Sequence, residues 1–351
     1  MLALGGVRVL EIPGGVASGF ATKQLAGYGA EVVRVEGLSD LPPLSDDETM
    51  YLVAGKRRVD AAAVDLRALA LAADIVVEEG TPGRVDVASW RRDKPSLVVT
   101  SISPFGQSGP YAHYQSTNAV SFAAGGIMSL TGDYFREPLV SGGSQAQYFG
   151  GLHAYAATAT AYLGAALQGE GDWLDISLQE CAAGTLELYG PMTSYIGGAG
   201  LPRMGNQTRA EWGVYPCADG YAGLFALQRQ IPSLFGAMED PSLLEGDWLD
   251  PVYRTANAEE LVAKMFVFTT GRTKAELLAI GREKKVPIGV ALTPADLLET
   301  PSLDERGFWD DVDGVRLPGR ALDGLDWESP DRLHTPGEDT DAVVADWLGQ
   351  Q

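Results

Sequence analysis

Residues 6–36 read Gly-Val-Arg-Val-Leu-Glu-Ile-Pro-Gly-Gly-Val-Ala-Ser-Gly-Phe-Ala-Thr-Lys-Gln-Leu-Ala-Gly-Tyr-Gly-Ala-Glu-Val-Val-Arg-Val-Glu. Val7 to Ile12 is a short apolar strand, ended by Pro13, Gly14 and Gly15. Residues 19–29 carry a helical pattern, with Phe20 and Leu25 among small residues and glycine at the close. Ala30 to Glu36 is a second strand. Strand, helix and strand in so short a span form a βαβ unit and demand a parallel sheet. Apolar runs at 73–78 and 97–102, each with a helix expected before it, continue the alternation. The pattern predicts an α/β fold with a doubly wound, Rossmann-like large domain.

Working outward, residues 37–50 hold two prolines and several acidic side chains and read as a loop. Residues 116–190 are rich in glycine and alanine, with helices expected near 119–130 and 150–168 and a short strand at 174–178. Gly150 to Leu167 reads as a buried, closely packed helix. Residues 214–221 suggest a β-hairpin with Asp219-Gly220 at its turn. Helices are expected at 229–238, 257–269 and 273–284. These readings divide the chain into a large domain at 1–200, a smaller α+β domain at 201–305 and a C-terminal extension at 306–351. The extension is rich in Asp, Gly and Pro and is expected to pack back on the large domain as extended chain.

The chain has 351 residues, and 26 Lys+Arg against 47 Asp+Glu give 26 − 47 = −21. Such a surface repels nucleic acid and anionic membranes, so neither is an expected partner. The two cysteines, Cys181 and Cys217, make no disulfide framework and fit a reduced, cytoplasmic setting. No signal peptide and no membrane span are expected. No metal site is expected. The turn at 13–19 could present backbone N–H groups to phosphate. It is neither G-x-G-x-x-G nor a Walker loop, so a structural turn and a ligand loop both stand as readings.

The blocks taken in order resemble the class III CoA-transferase family, also called the carnitine dehydratase/bile-acid-inducible protein family, which includes α-methylacyl-CoA racemases. The resemblance runs through Gly6–Ile12, Leu25–Glu36, Gly55-Lys56-Arg57 and Asp74–Gly83. It continues through Pro95-Ser-Leu-Val, Phe105–Tyr111, Asp175–Glu180 and Val214–Gly220. It implies a Rossmann-like large domain, a smaller domain, and two chains interlocked as rings. Coenzyme A or an acyl-CoA is implied as substrate, with no tightly bound cofactor. The implied CoA site uses Val16 and Ala17 in the first turn, Arg34, Lys56, and the segment from Glu79 to Gly83 near the adenine. Arg34, Lys56 and Arg57 are the cations a polyphosphate needs in an acidic field, unless they are ordinary surface charges.

The family's catalytic aspartate, whose carboxylate attacks the thioester, falls on Gln147 here. A carboxamide is a poor nucleophile and no general base near neutral pH. The racemase histidine position falls near Gln115–Ser116, with Thr117 or Asn118 where many members have Asp. His113 lies close in sequence; His153 and His334 read as packing or surface residues. Asp133 and Glu137 read as loop charges, and Cys181 as a buried, inert thiol. Trp212 and Tyr215 read as acyl-site lining or as core. The resemblance implies a class III CoA-transferase acting on an acyl-CoA and a carboxylic acid, as a homodimer or as a heterodimer with a related chain. A non-catalytic CoA-binding subunit and a racemase or lyase variant are the alternatives. A nicotinamide-dependent dehydrogenase is disfavoured by the missing glycine fingerprint.

Overall fold

A computed structural model describes residues 2–186, 189–196 and 202–349. The chain forms two compact units: one of residues 1–129, 140–199 and 301–351, the other of residues 130–139 and 200–300.

The first unit is built on six parallel strands: β1 (Arg8–Ile12), β2 (Glu31–Glu36), β3 (Arg57–Asp60), β4 (Ile75–Glu79), β5 (Val98–Ser103) and β6 (Trp173–Ser177). Their order in the sheet is β3-β2-β1-β4-β5-β6. The order reverses between β1 and β4, and ligands of doubly wound sheets bind outside the strand C-termini at such a reversal. The helices are α1 (Val16–Gly27), α2 (Asp46–Val53), α3 (Leu66–Ala72), α4 (Val87–Asp93), α5 (Asn118–Ala124), α6 (Gln145–Gln168) and α7 (Leu178–Ala183). On one face Ala17, Ala21 and Leu25 of α1 and Ala154, Ala161 and Ala165 of α6 pack on Val9, Val32, Ile75 and Val98. On the other, α3, α4 and the C-terminal helix Thr340–Leu348 cover Leu10, Val33, Val76 and Val99.

Four local expectations change in this unit. Residues 46–53, read as loop, are α2, because Ser45 and Glu48 close a capping box that satisfies the first-turn amides. Strand β3 went unread because Arg57-Arg58 opens it; both cations are neutralised, Arg57 by Glu31 at 2.6 Å and Asp346 at 3.0 Å, Arg58 by Glu36 at 2.6 Å. The alanine-rich helix α6 is buried along one stripe only, with Leu152, Leu163 and Leu167 exposed. The segment from 306 is not wholly extended: it carries the hairpin β11 (Trp309–Val312) and β12 (Val315–Pro318) and the C-terminal helix.

The second unit carries the antiparallel strands β7 (Gln207–Arg209), β8 (Trp212–Cys217), β9 (Gly220–Phe225) and β10 (Ile288–Val290) in the order β10-β9-β8-β7. Cys217 faces Gly220, so the two turn residues are Ala218-Asp219. Tyr215 is fully buried in this unit's core with Phe235, Leu261, Met265 and Leu277. Trp212 stacks on Phe225 at 4.6 Å and donates its indole N–H to the Ala226 carbonyl. Both aromatics pack within this unit.

Candidate functional site

The loops that leave β2, β4 and β5 gather at the C-terminal edge of the parallel sheet. There they enclose a cleft of about 350 Å³, walled by Asp40, Pro42, Thr81, Pro104, His113 and Thr117, among others. The side chain of Arg84 ties its rim together. Its guanidinium donates to the Glu79 carbonyl at 2.5 Å, the Pro13 carbonyl at 3.1 Å and the Leu38 carbonyl. Those carbonyls lie at or just beyond the ends of β4, β1 and β2. Asp40 Oδ2 accepts from the Thr81 amide at 3.1 Å and hydroxyl at 2.8 Å, and Arg84 stands 3.5 Å from Oδ1. Burial pushes the Asp40 carboxyl up, but the Thr81 bonds and Arg84 outweigh it and hold the group below its ordinary range. Sequence reasoning marked Thr81 within the Glu79–Gly83 segment but passed over Asp40 and Arg84, since nothing local marks a side chain that bridges loops from three strands.

A second cleft, of about 420 Å³, lies at the other edge, beside Ala30, Glu31 and the start of β3. It is bordered by Lys23, Arg57, Glu31, Glu328 and Asp331 and stands away from the strand C-termini, so the first cleft is the candidate site.

Val16 and Ala17 are buried in the first turn of α1, next to Glu79. The Glu79 carboxylate accepts from the Gly15 amide at 2.9 Å and the Ser18 amide at 2.8 Å. A protein carboxylate thus takes two amides that the sequence offered to phosphate. Burial is the larger influence and raises the Glu79 pKa despite these bonds. Gly14 is needed for the approach, because a Cβ there would stand 2.2 Å from the Glu79 carbonyl oxygen. Gly83 sits two residues beyond Thr81 with a left-handed φ of 80°.

Arg34 and Lys56 are buried and pair with Glu11 in this chain. Lys56 is fully buried and donates to Glu11 at 2.8 Å, Thr22 at 2.6 Å and the Gly19 carbonyl at 3.0 Å. Arg34 pairs with the other Glu11 oxygen and with Glu36 at 3.2 Å. The register sets Glu11 opposite Arg34, which brings them together. Burial pulls the Lys56 ammonium down to about 8. For Glu11 burial works upward, yet Lys56 and Arg34 prevail and hold it at about 2. A buried charge left without its partners would be costly, which explains why these cations stay with Glu11.

Gln147 lies half-buried in the first turn of α6. Asn118 fixes that turn: its Oδ1 accepts from the Ala146 amide at 2.9 Å, and its Nδ2 donates to the Gly143 carbonyl at 2.9 Å. Thr117, on the cleft wall, caps α5 through the Val120 amide. The same short segment therefore walls the cleft and sets the start of α6. One turn on, Gly150 and Gly151 let α6 touch α1 at Ala17 and Phe20. Gln115, Ser116 and His113 line the cleft. Other candidates lie elsewhere. Cys181 is buried in α7, with its thiol pushed up to about 11 by burial and by Glu180. His153 is bonded to the Phe149 carbonyl and His334 to Asp339. Asp133 and Glu137 are exposed in the second unit. Among the described residues no cluster of metal ligands occurs, and no helix is long and apolar enough to cross a membrane.

Known proteins resemble this chain in architecture and in sequence. A crystal structure of a CaiB/BaiF family protein from Brucella suis superposes with a TM-score of 0.88 at 27% identity, over 98% of this chain and 99% of that one. The succinyl-CoA:(R)-benzylsuccinate CoA-transferase subunit BbsE of Thauera aromatica is 28% identical, over 97% of this chain and 93% of its own. The succinate–glutarate CoA-transferase of Agrobacterium fabrum is 27% identical, over 98% and 95%. The sequence pattern of CoA-transferase family III matches residues 4–323. With a doubly wound sheet, a cleft at its point of reversal and a family match over nearly its whole length, this chain belongs to CoA-transferase family III.

Proposed function

We propose that this chain is the non-catalytic, CoA-thioester-holding subunit of a heteromeric class III CoA-transferase. Transfer of CoA between carboxylic acids is then completed on the carboxylate of a related chain. The observation that carries this reading is the amide of Gln147 in the first turn of α6, where the family resemblance expects a nucleophilic carboxylate. An amide oxygen cannot open a thioester to a mixed anhydride as a carboxylate does. The similarity to a protein named as a transferase subunit supports a heteromer. In this reading Val16, Ala17 and the Glu79–Gly83 segment border the ligand. Arg34 and Lys56 stabilise the fold beneath it. The two cysteines are free, in keeping with a reduced, cytoplasmic setting.

The test is CoA exchange followed by mass spectrometry, with acyl-CoA donors and free acids. The chain alone is expected to show none. Exchange is expected when it is co-purified with a family chain that retains the aspartate. Gln147→Asp is expected to introduce detectable exchange into the chain alone. Turnover by the unmodified chain alone would overturn the proposal.

A further inference from the structure

The second cleft, of about 420 Å³, holds a buried ammonium. Lys23 of α1 lines it and is 4% exposed. Its three N–H donors make no hydrogen bond among the described residues. Its ion-pair partner, Asp310 Oδ2, stands 3.6 Å away, beyond hydrogen-bond length. The rings of Tyr51 and Trp327 flank the ammonium at 4.8 and 5.7 Å. Burial pulls the Lys23 pKa down, with Asp310 opposing it. Unfilled donors on a buried charge are costly, and an acceptor entering from the cleft fills them. Asp310 is 2% exposed and does not line the cleft. The exposed lining carries the opposite sign. Glu328 and Asp331 form no ion pair among the described residues, whereas Glu31 and Arg57 pair with each other at 2.6 Å. The backbone that bears the two free carboxylates is pinned. The Glu328 amide donates to the Gly27 carbonyl at 2.7 Å, and the Arg332 carbonyl accepts from the Gly55 amide at 2.9 Å. Trp327 lies flush against α1, where a Cβ on Gly27 would stand 2.1 Å from its ring.

We propose that this cleft binds a small zwitterion, an amino acid, with the ligand's carboxylate on Lys23 and its ammonium on Glu328 and Asp331. The carboxylate supplies the acceptors that the Lys23 ammonium lacks, and the ammonium meets two unpaired carboxylates. A ligand of zero net charge suits the field of a chain at −21, which repels a simple acid. A volume near 420 Å³ is at the small end of ligand pockets and has room for such a molecule. The site shares no lining residue with the first cleft, so it stands independently of the thioester reading.

Calorimetric titration of the full chain with glycine, β-alanine and γ-aminobutyrate tests it. Acetate, propionate and butyrate are the matching acids without the amine; methylamine, ethylamine and propylamine are the matching amines without the acid. At least one amino acid is expected to bind about tenfold more tightly than both of its single-charge analogues. Glu328→Gln combined with Asp331→Asn changes two exposed side chains and is expected to bring that amino acid to within about twofold of its matching acid. Lys23→Met is expected to weaken its binding by about tenfold or more. Lys23→Met combined with Asp310→Asn removes both buried charges and serves should the single variant fold poorly, with circular dichroism as the check. Absence of binding by all three amino acids, equally tight binding of the matching acid, or an unaltered affinity in either set of variants overturns the site and leaves the thioester reading standing.

Discussion

Glu78 and Glu79 are neighbours on β4, and strand alternation sends them to opposite faces. Glu79 caps α1, while Glu78 lies opposite Ser101 in the register, 2% exposed, with Oε2 unbonded among the described residues. Burial raises the Glu78 pKa to about 7, with Ser101 and Arg84 opposing it. The folded chain therefore binds this proton more tightly than the unfolded chain does. Stability from it is fully present below about pH 4.5 and is lost as pH rises through about 7. The full effect is on the order of 3 kcal/mol. Urea unfolding at pH 5 and pH 8 should show that Glu78→Gln flattens this loss and is the more stable protein at pH 8. Parallel pH slopes for the two proteins would refute the assignment.

At the scale of elements, the contact between α1 and α6 sets where Gln147 stands. A Cβ on Gly151 would lie 2.7 Å from the Ala17 carbonyl oxygen, and one on Gly150 would lie 2.2 Å from a Leu178 methyl. Backbone cannot yield as a side-chain tip does, so Gly151→Ala forces the helices apart. It is expected to cost about 1–3 kcal/mol, more than the gain in helix propensity. Gly164 lies on the same helix, and a Cβ there would meet nothing within 4 Å. Gly164→Ala should stabilise by about 0.5–1 kcal/mol. Chemical denaturation of the two variants decides the matter: shifts of the same sign would mean that close packing does not govern this interface.

For the whole molecule, a net charge of −21 opposes compaction by self-repulsion. Salt bridges such as Arg57 with Glu31 and Asp346 answer it only locally. Raising sodium chloride from about 20 to about 200 mM shortens the screening length and should raise the melting temperature by a few degrees. A flat or falling melting temperature over that range would show that favourable ion pairs outweigh the repulsion.

The strands at 8–12, 31–36, 75–79 and 98–103 and the turn between β1 and α1 were legible because period, β-branching and glycine act over a few residues. Strand β3 and helix α2 were not, because their support comes from Glu31, Asp346 and a capping box rather than from an apolar run. For the site, sequence alone marked Gln147, the first turn and the Glu79–Gly83 segment. Only the tertiary structure decided what the cations do. Lys56 meets Glu11 across 45 residues, and Arg84 reaches the carbonyl of Pro13 across 71. A local pattern records that a charge exists; which opposite charge or carbonyl it faces is set by register and helix packing, because a buried charge is costly without a partner.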